Sequence, residues 1–190
     1  MLEPFAGEVW GRSIGQSTAL AGLQNIGTLG GMVLMALAGS GVFGRRLVSL
    51  RGWAVGGCVA SAAALLTLAF APRYGAGFPL EAAYVALGLA NGAFAAAAIA
   101  SMMMLAGDAR TGTRMGLWGA AQAVAFALGG FGGTVICDLA RLATGAAAPA
   151  YGAVFAIEAA LFLFSAVLAA RLAAPALPRL SSLRMKEALS

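Results

Sequence analysis

A chain of 190 residues that is 61% hydrophobic and 10% charged, with a mean hydropathy of +0.89, cannot clothe a water-facing surface. Soluble domains carry about 25% charged residues, so lipid must be the solvent for most of this one. The net charge of +5 does not point to nucleic acid, because the basic residues stand in small groups between apolar runs, where they control topology and form no phosphate-binding stripe.

Residues 1–17 mix Glu3, Glu8 and Arg12 with Pro4 and several glycines. They read as a loop plus an interfacial segment on the outer, periplasmic side, with Trp10 as a headgroup anchor. The first apolar run, about Thr18 to Ala38, is interrupted only by Gln24 and Asn25. Its length suits a helix crossing ~30 Å of hydrocarbon. Gly27 and Gly31, one turn apart, offer a small-residue face to a neighbouring helix.

A basic turn follows, with Arg45, Arg46 and Arg51 placing three arginines in seven positions. Gly39, Gly41 and Gly44 match the dinucleotide-binding pattern G-x-G-x-x-G, but that motif needs a preceding strand and a following amphipathic helix. Here it lies between two membrane-length runs, so the dinucleotide reading fails on context.

The second run covers about Gly52 to Ala71, and Gly52 and Gly56 repeat the small-residue spacing. Pro72, Arg73, Gly75, Gly77 and Pro79 then predict a turn that breaks the helix. The third run is about Glu81 to Ala106, with Gly88, Asn91 and Gly92 near its middle. A polar loop from Gly107 to Arg114 leads into the fourth run, about Met115 to Ile136, which holds Trp118, Gln122 and a cluster of glycines. Asp138 to Pro149 reads as the next loop, and about Ala150 to Ala170 as the fifth run, with Glu158 inside it. The tail from Arg171 carries Pro175, Pro178, Arg179, Arg184 and Lys186. The expected organisation is an outer segment over 1–17, a five-span bundle over 18–170 and a cytoplasmic basic tail over 171–190. Cys58 and Cys137 fall in different runs near opposite membrane faces, which argues against a disulfide. No basic stretch with a cleavage site marks a signal peptide.

Positive charge in short loops marks the cytoplasmic side. With the basic turn inside, nine cations lie inside (Arg45, Arg46, Arg51, Arg110, Arg114, Arg171, Arg179, Arg184, Lys186) and three outside (Arg12, Arg73, Arg141). The N-terminus is therefore expected outside and the C-terminus inside.

Leu2-Glu-Pro-Phe-Ala-Gly-Glu-Val-Trp-Gly11, followed by Ser13-Ile-Gly-Gln-Ser-Thr-Ala-Leu20, resembles the Leu-Glu-Pro-Tyr-Gly-Gly-Glu-Val segment of the PucC/LhaA family. That family is the bacteriochlorophyll-delivery branch of the major facilitator superfamily. Gly41-Val-Phe-Gly-Arg-Arg46 resembles the superfamily's basic loop, and Gly116 to Gln122 and Tyr151 to Glu158 resemble segments near the end of family members. Phe5-Ala6 stands where Tyr-Gly is usual. The resemblance implies an all-α integral membrane protein corresponding to helices eight to twelve of a twelve-helix fold, with the seventh helix and the N-terminal half preceding Met1. It also implies a bacterial inner, intracytoplasmic photosynthetic membrane, a role in assembling light-harvesting or reaction-centre complexes, those subunits as partners, and bacteriochlorophyll as the pigment handled. Nucleic acid is not an expected partner; the lipid bilayer is.

Histidine is absent, so Ser-His and Cys-His couples are excluded. The 7 acidic residues are too sparse for paired acid–base work, and no enzyme is expected. Without an imidazole, a pigment magnesium would take an oxygen donor, as a hard cation does, or a water held by one. Four residues are candidates for pigment contact. Glu158 lies ~12 Å along the fifth run from Ala150, where an ionisable group costs about 2.5–3.5 kcal/mol and marks a functional site by default. Its ordinary reading is a neutral or paired carboxyl joining helices. Phe155, Leu161 and Phe162 share its face, and a peripheral last helix, as the resemblance implies, would turn that face to lipid or a partner. Gln122 and Asn91 read more plainly as interhelical hydrogen bonds of ~0.6–2 kcal/mol. The resemblance puts Asn91 on a cavity-lining helix. Trp118 reads as an interface anchor, or as a ring on which a pigment could stack. Met102-Met-Met104 reads as packing. The alternatives are half of a solute transporter, against which the nearly bare cavity helices argue, and a purely structural bundle subunit.

Overall fold

In lipid every backbone polar group must be satisfied within its own segment, so apolar runs of this length can only be helices here. The computed structural model describes residues 1–39, 49–106 and 111–171. Among them are α1 (Leu2–Trp10), α2 (Ile14–Gly39), α3 (Leu50–Phe70), α4 (Leu80–Ala106), α5 (Thr111–Thr144) and α6 (Ala147–Arg171), and no strand. The last five are long and apolar enough to cross a membrane, and the chain is a multi-pass, all-α membrane protein. Arg45, Arg46, Arg110, Arg179, Arg184 and Lys186 lie outside the described residues, as do Gly41 and Gly44.

Local chemistry sets the helix starts. Ser13 and Gln16 form a reciprocal capping box at the head of α2: Ser13 Oγ accepts from the Gln16 amide at 3.3 Å and Gln16 Oε1 accepts from the Ser13 amide at 3.0 Å. Ser49 caps α3 by accepting from the Gly52 amide at 3.0 Å. The expected break after α3 is a pair of short 3-10 turns, Ala71–Arg73 and Gly75–Gly77.

Helix extends into two stretches whose sequence reads as a loop plus an interfacial segment (1–17) and as a loop (138–149). Residues 2–10 form α1, and α5 continues through Asp138 and Arg141 to Thr144, leaving only Gly145 and Ala146 as the turn to α6. Polar residues mark where a chain meets water; they do not mark where its helix ends. At 1.5 Å per residue α5 is ~51 Å long, well beyond ~30 Å of hydrocarbon. Arg114 and Arg141 are 27 positions apart on it, so about 40 Å separates them, close to the span between the two headgroup regions.

α2 lies along α4, α4 along α3, α3 along α6, and α6 beside α5. The α2–α4 contact is made by the two glycine pairs read from the sequence. A Cβ on Gly27 or Gly31 would stand 2.6 Å from Val85 O or 2.1 Å from Leu89 O, and one on Gly88 or Gly92 would stand 2.1 Å from Gln24 O or 1.9 Å from Thr28 O. The backbones therefore touch directly. On α3 the tight glycine is Gly57, against Phe94 of α4, whereas Gly56 faces open space. The Gly52–Gly56 spacing is real, but it makes one wall of a groove.

α1 closes one end of the bundle. Phe5 and Ala6 are fully buried, Phe5 edge-on to Phe155 at 5.0 Å and Tyr151 at 5.7 Å. Tyr84 of α4 donates its hydroxyl proton to Leu2 O at 2.7 Å. Arg141 of α5 pairs with Glu8, and Arg12 pairs with Glu81 of α4 at 3.3 Å.

Candidate functional site

The four candidate residues do not converge. Asn91 sits in the α3–α4 seam, where its Oδ1 accepts a 2.7 Å hydrogen bond from the fully buried Ser61 hydroxyl. That is the interhelical bond expected of an amide at membrane depth. Gln122 is exposed on α5. Trp118 is half-buried on the same helix and lines a cavity of about 290 Å³ with Met102, Arg114, Leu117 and Ala121, which contains none of the other three.

Glu158 is half-buried on α6. It lies 11 residues from the helix start at Ala147, ~16 Å along the axis. Tyr151, Phe155, Glu158 and Phe162 follow at i, i+4, i+7 and i+11, all on one stripe. Tyr151 and Phe155 are buried, and Phe162 meets Phe94 of α4 edge-on at 6.3 Å. The carboxyl-bearing face therefore looks inward, towards α1 and α4. This corrects the expectation that it faces lipid or a partner: the exposed side of α6 is the one carrying Ile157, Leu161 and Phe164. The inward aromatic neighbours were legible in the sequence; the direction they point was not.

The carboxyl makes no hydrogen bond or ion pair with another described residue. Among the four it alone combines burial with a carboxyl oxygen that accepts no hydrogen bond from a described residue, although the charge of the Met1 ammonium acts on it. A magnesium-centred tetrapyrrole, as a hard cation in an apolar ring, asks for an oxygen ligand between apolar walls, and Glu158 between Phe155 and Phe162 fits that requirement. Asn91 fits it less well, its carbonyl oxygen being used by Ser61. No group of three or more His, Cys, Asp or Glu side chains able to hold a metal ion lies among the described residues. Cys58 and Cys137 are both free and buried.

Sequence reasoning missed a second cavity, a groove of about 450 Å³ between α2, α3 and α4 whose walls include Leu34, Trp53, Gly56, Ala60 and Ala93. The Trp53 indole N–H that borders it is buried and finds no acceptor among the described residues. The signal was present in the sequence as Gly52, Gly56 and Ala60, a run of small residues at four-residue spacing on α3.

Residues 1–177 match the family described as PUCC protein. A stretch of 99 residues, 52% of the chain, is 46% identical to a protein of Rhodobacter capsulatus named bacteriochlorophyll synthase 44.5 kDa chain. That stretch covers 22% of the relative's length. No solved structure matches the chain.

Proposed function

Because the chain belongs to the PUCC protein family, we propose that it assists assembly of bacterial light-harvesting or reaction-centre complexes by handling bacteriochlorophyll, and that it is not itself a catalyst. Glu158 carries this reading: a carboxyl with no hydrogen-bond partner among the described residues, set on a helix face between two phenylalanines and near no described charge but the Met1 ammonium, is costly at membrane depth unless something occupies it. The printed name of the Rhodobacter capsulatus relative supports the choice of pigment. A bound pigment would supply a magnesium able to take an oxygen ligand and a macrocycle that favours apolar walls. The protein's part is to present the Glu158 carboxylate and to keep water away from it with Phe155 and Phe162. Docking on subunits of the photosynthetic complexes, residence in the intracytoplasmic photosynthetic membrane and correspondence to the last five helices of a major facilitator fold belong to the same proposal.

A bacteriochlorophyll absorption band should accompany the protein through purification in mild detergent. Glu158→Gln keeps the shape and most hydrogen-bonding capacity, so it should fold normally yet lose a measurable part of that band. Full pigment content in Glu158→Gln, with Glu158→Leu merely lowering stability, would make the carboxyl a structural link between helices.

The proposed orientation has its own check. Reporter fusions after Arg51 and Arg114 should read cytoplasmic, and fusions near Gly75 and Ala146 periplasmic. A periplasmic reading at Arg51 would invert the topology.

A further inference from the structure

The aromatic wall beside Glu158 is closed. Phe155 has no exposed surface, so neither face of its ring is open to a macrocycle. Part of its cover is Phe5 of α1, edge-on at 5.0 Å, and Phe5 meets Tyr151 as well, at 5.7 Å. Interiors are close-packed, so a pigment and Phe5 cannot share the place against Phe155.

The rest of the cover comes from membrane-length helices that are tied to one another. Moving α3 away from α4 would break the Ser61–Asn91 bond and the Gly57–Phe94 contact. α1 is held differently. It is nine residues long, too short to persist on its own. Glu3, Pro4 and Glu8 are exposed on it, while Phe5 and Ala6 are buried. A lifted α1 therefore hands its carboxylates and freed backbone to water, a route closed to segments within hydrocarbon.

The chain is also jointed at this point. Gly11 takes the left-handed conformation (φ 63°) that stops α1, and the Arg12 amide donates back to Ala6 O at 3.1 Å. α2 then starts on its own capping box at Ser13 and Gln16. Rotation about Arg12, between the two caps, breaks no hydrogen bond inside either helix. Such element-terminal residues are where hinges form. Against that freedom stand the packing of Phe5, the Tyr84 hydroxyl bond to Leu2 O at 2.7 Å and the half-exposed Glu8–Arg141 pair.

We propose that α1 is a gate over the Glu158 face of α6, closed here with Phe5 as its plug and lifted about Arg12 when bacteriochlorophyll occupies that face. The gate rests on the pigment reading of Glu158. Closure and occupancy exclude one another, because Phe5 fills the place on Phe155 that the macrocycle takes. The closed gate covers the aromatic face when no pigment is aboard.

The test uses Ala6→Cys, a small change at a fully buried position of α1, in protein made in a host without bacteriochlorophyll. N-ethylmaleimide labelling at position 6, located by peptide mass spectrometry, reports lifting. Bacteriochlorophyll added in mild detergent is followed by its bound absorption band. Labelling should be slow in the empty protein and at least about tenfold faster once the band is present, because a ligand that binds the lifted state alone shifts the population to it. Tyr84→Phe removes the donor to Leu2 O and leaves Phe5, Phe155 and Glu158 in place. Introduced beside Ala6→Cys, it should raise both the labelling of the empty protein and the rate of pigment uptake about fivefold, the value of one hydrogen bond. A bound band with labelling still slow overturns the gate and leaves the pigment reading standing. Fast labelling of the empty protein overturns it too, and so do uptake and labelling that Tyr84→Phe does not change. Absence of the band throughout removes the pigment reading and the gate with it.

Discussion

Gly92→Ala is expected to disrupt the bundle more than any other single methyl addition. The new Cβ would stand 1.9 Å from the Thr28 carbonyl oxygen, 2.7 Å from its carbon and 2.9 Å from Thr28 Cα. All three are backbone atoms, so no rotamer change relieves the clash. Restoring a carbon–oxygen contact of ~3.3–3.6 Å requires α2 and α4 to part by about 1.5 Å. That separation opens the whole seam, because Gly27, Gly31 and Gly88 rely on the same approach. Overpacking costs about 1–3 kcal/mol where side chains can yield; here they cannot, so the upper end or beyond is expected. Thermal midpoint in detergent, read by size-exclusion fluorescence, is the measurement. Gly129→Ala is the control, since nothing lies within 4 Å of its Cβ position, and a helical glycine replaced by alanine gains roughly 0.5–1 kcal/mol. Equal midpoints for Gly92→Ala and Gly129→Ala would mean that the two helices do not touch there.

Phe5→Ala is the second large effect expected. Phe5 is fully buried and packs edge-to-face on both Tyr151 and Phe155. Its truncation should cost about 3–5 kcal/mol, as for other buried phenylalanines. The helix it holds is only nine residues long, too short to persist without tertiary contacts, so α1 should detach and become protease-sensitive. Glu8→Gln should be far milder. The Glu8–Arg141 pair is about two-fifths exposed on both sides (42% and 41%), and water screens such a pair to a small net contribution. A ranking in which Glu8→Gln is the more damaging would show that charge, and not aromatic packing, fastens α1. The two departures from the usual family pattern, Phe5 and Ala6, are the two buried residues of α1, so they alter packing at the closed end and leave its polar contacts in place.

The five spans were legible in the amino-acid sequence because a membrane admits so few alternatives. An apolar run of about 20 residues between charged turns has to be a helix, since nothing else satisfies its backbone in hydrocarbon. The glycine pairs Gly27/Gly31 and Gly88/Gly92 were legible for a related reason. Small residues at four-residue spacing make a face on which backbones can meet, and each pair found the other. The Leu2–Gly11 motif identified the family, although not the position of its helix against the bundle.

Tertiary structure alone decided which way each face points. In a soluble helix the polar side reveals the buried one, but α4 and α6 are apolar all round, because lipid and protein interior are equally apolar surroundings. So the sequence could not say that Gly57, and not Gly56, meets α4, nor that Glu158 looks inward beside Phe155 and Phe162. It could not say that Ser61, 30 positions away, engages the Asn91 carbonyl, because a hydrogen-bond partner on another helix is a matter of docking. Nor did it show that α5 runs on past Asp138, since a helix longer than the bilayer carries charged residues without ending. Composition and spacing determined the number of spans and the residues able to bind or join. Non-local packing determined which of them have a partner within the chain and which, like Glu158, have no hydrogen-bond partner among the described residues.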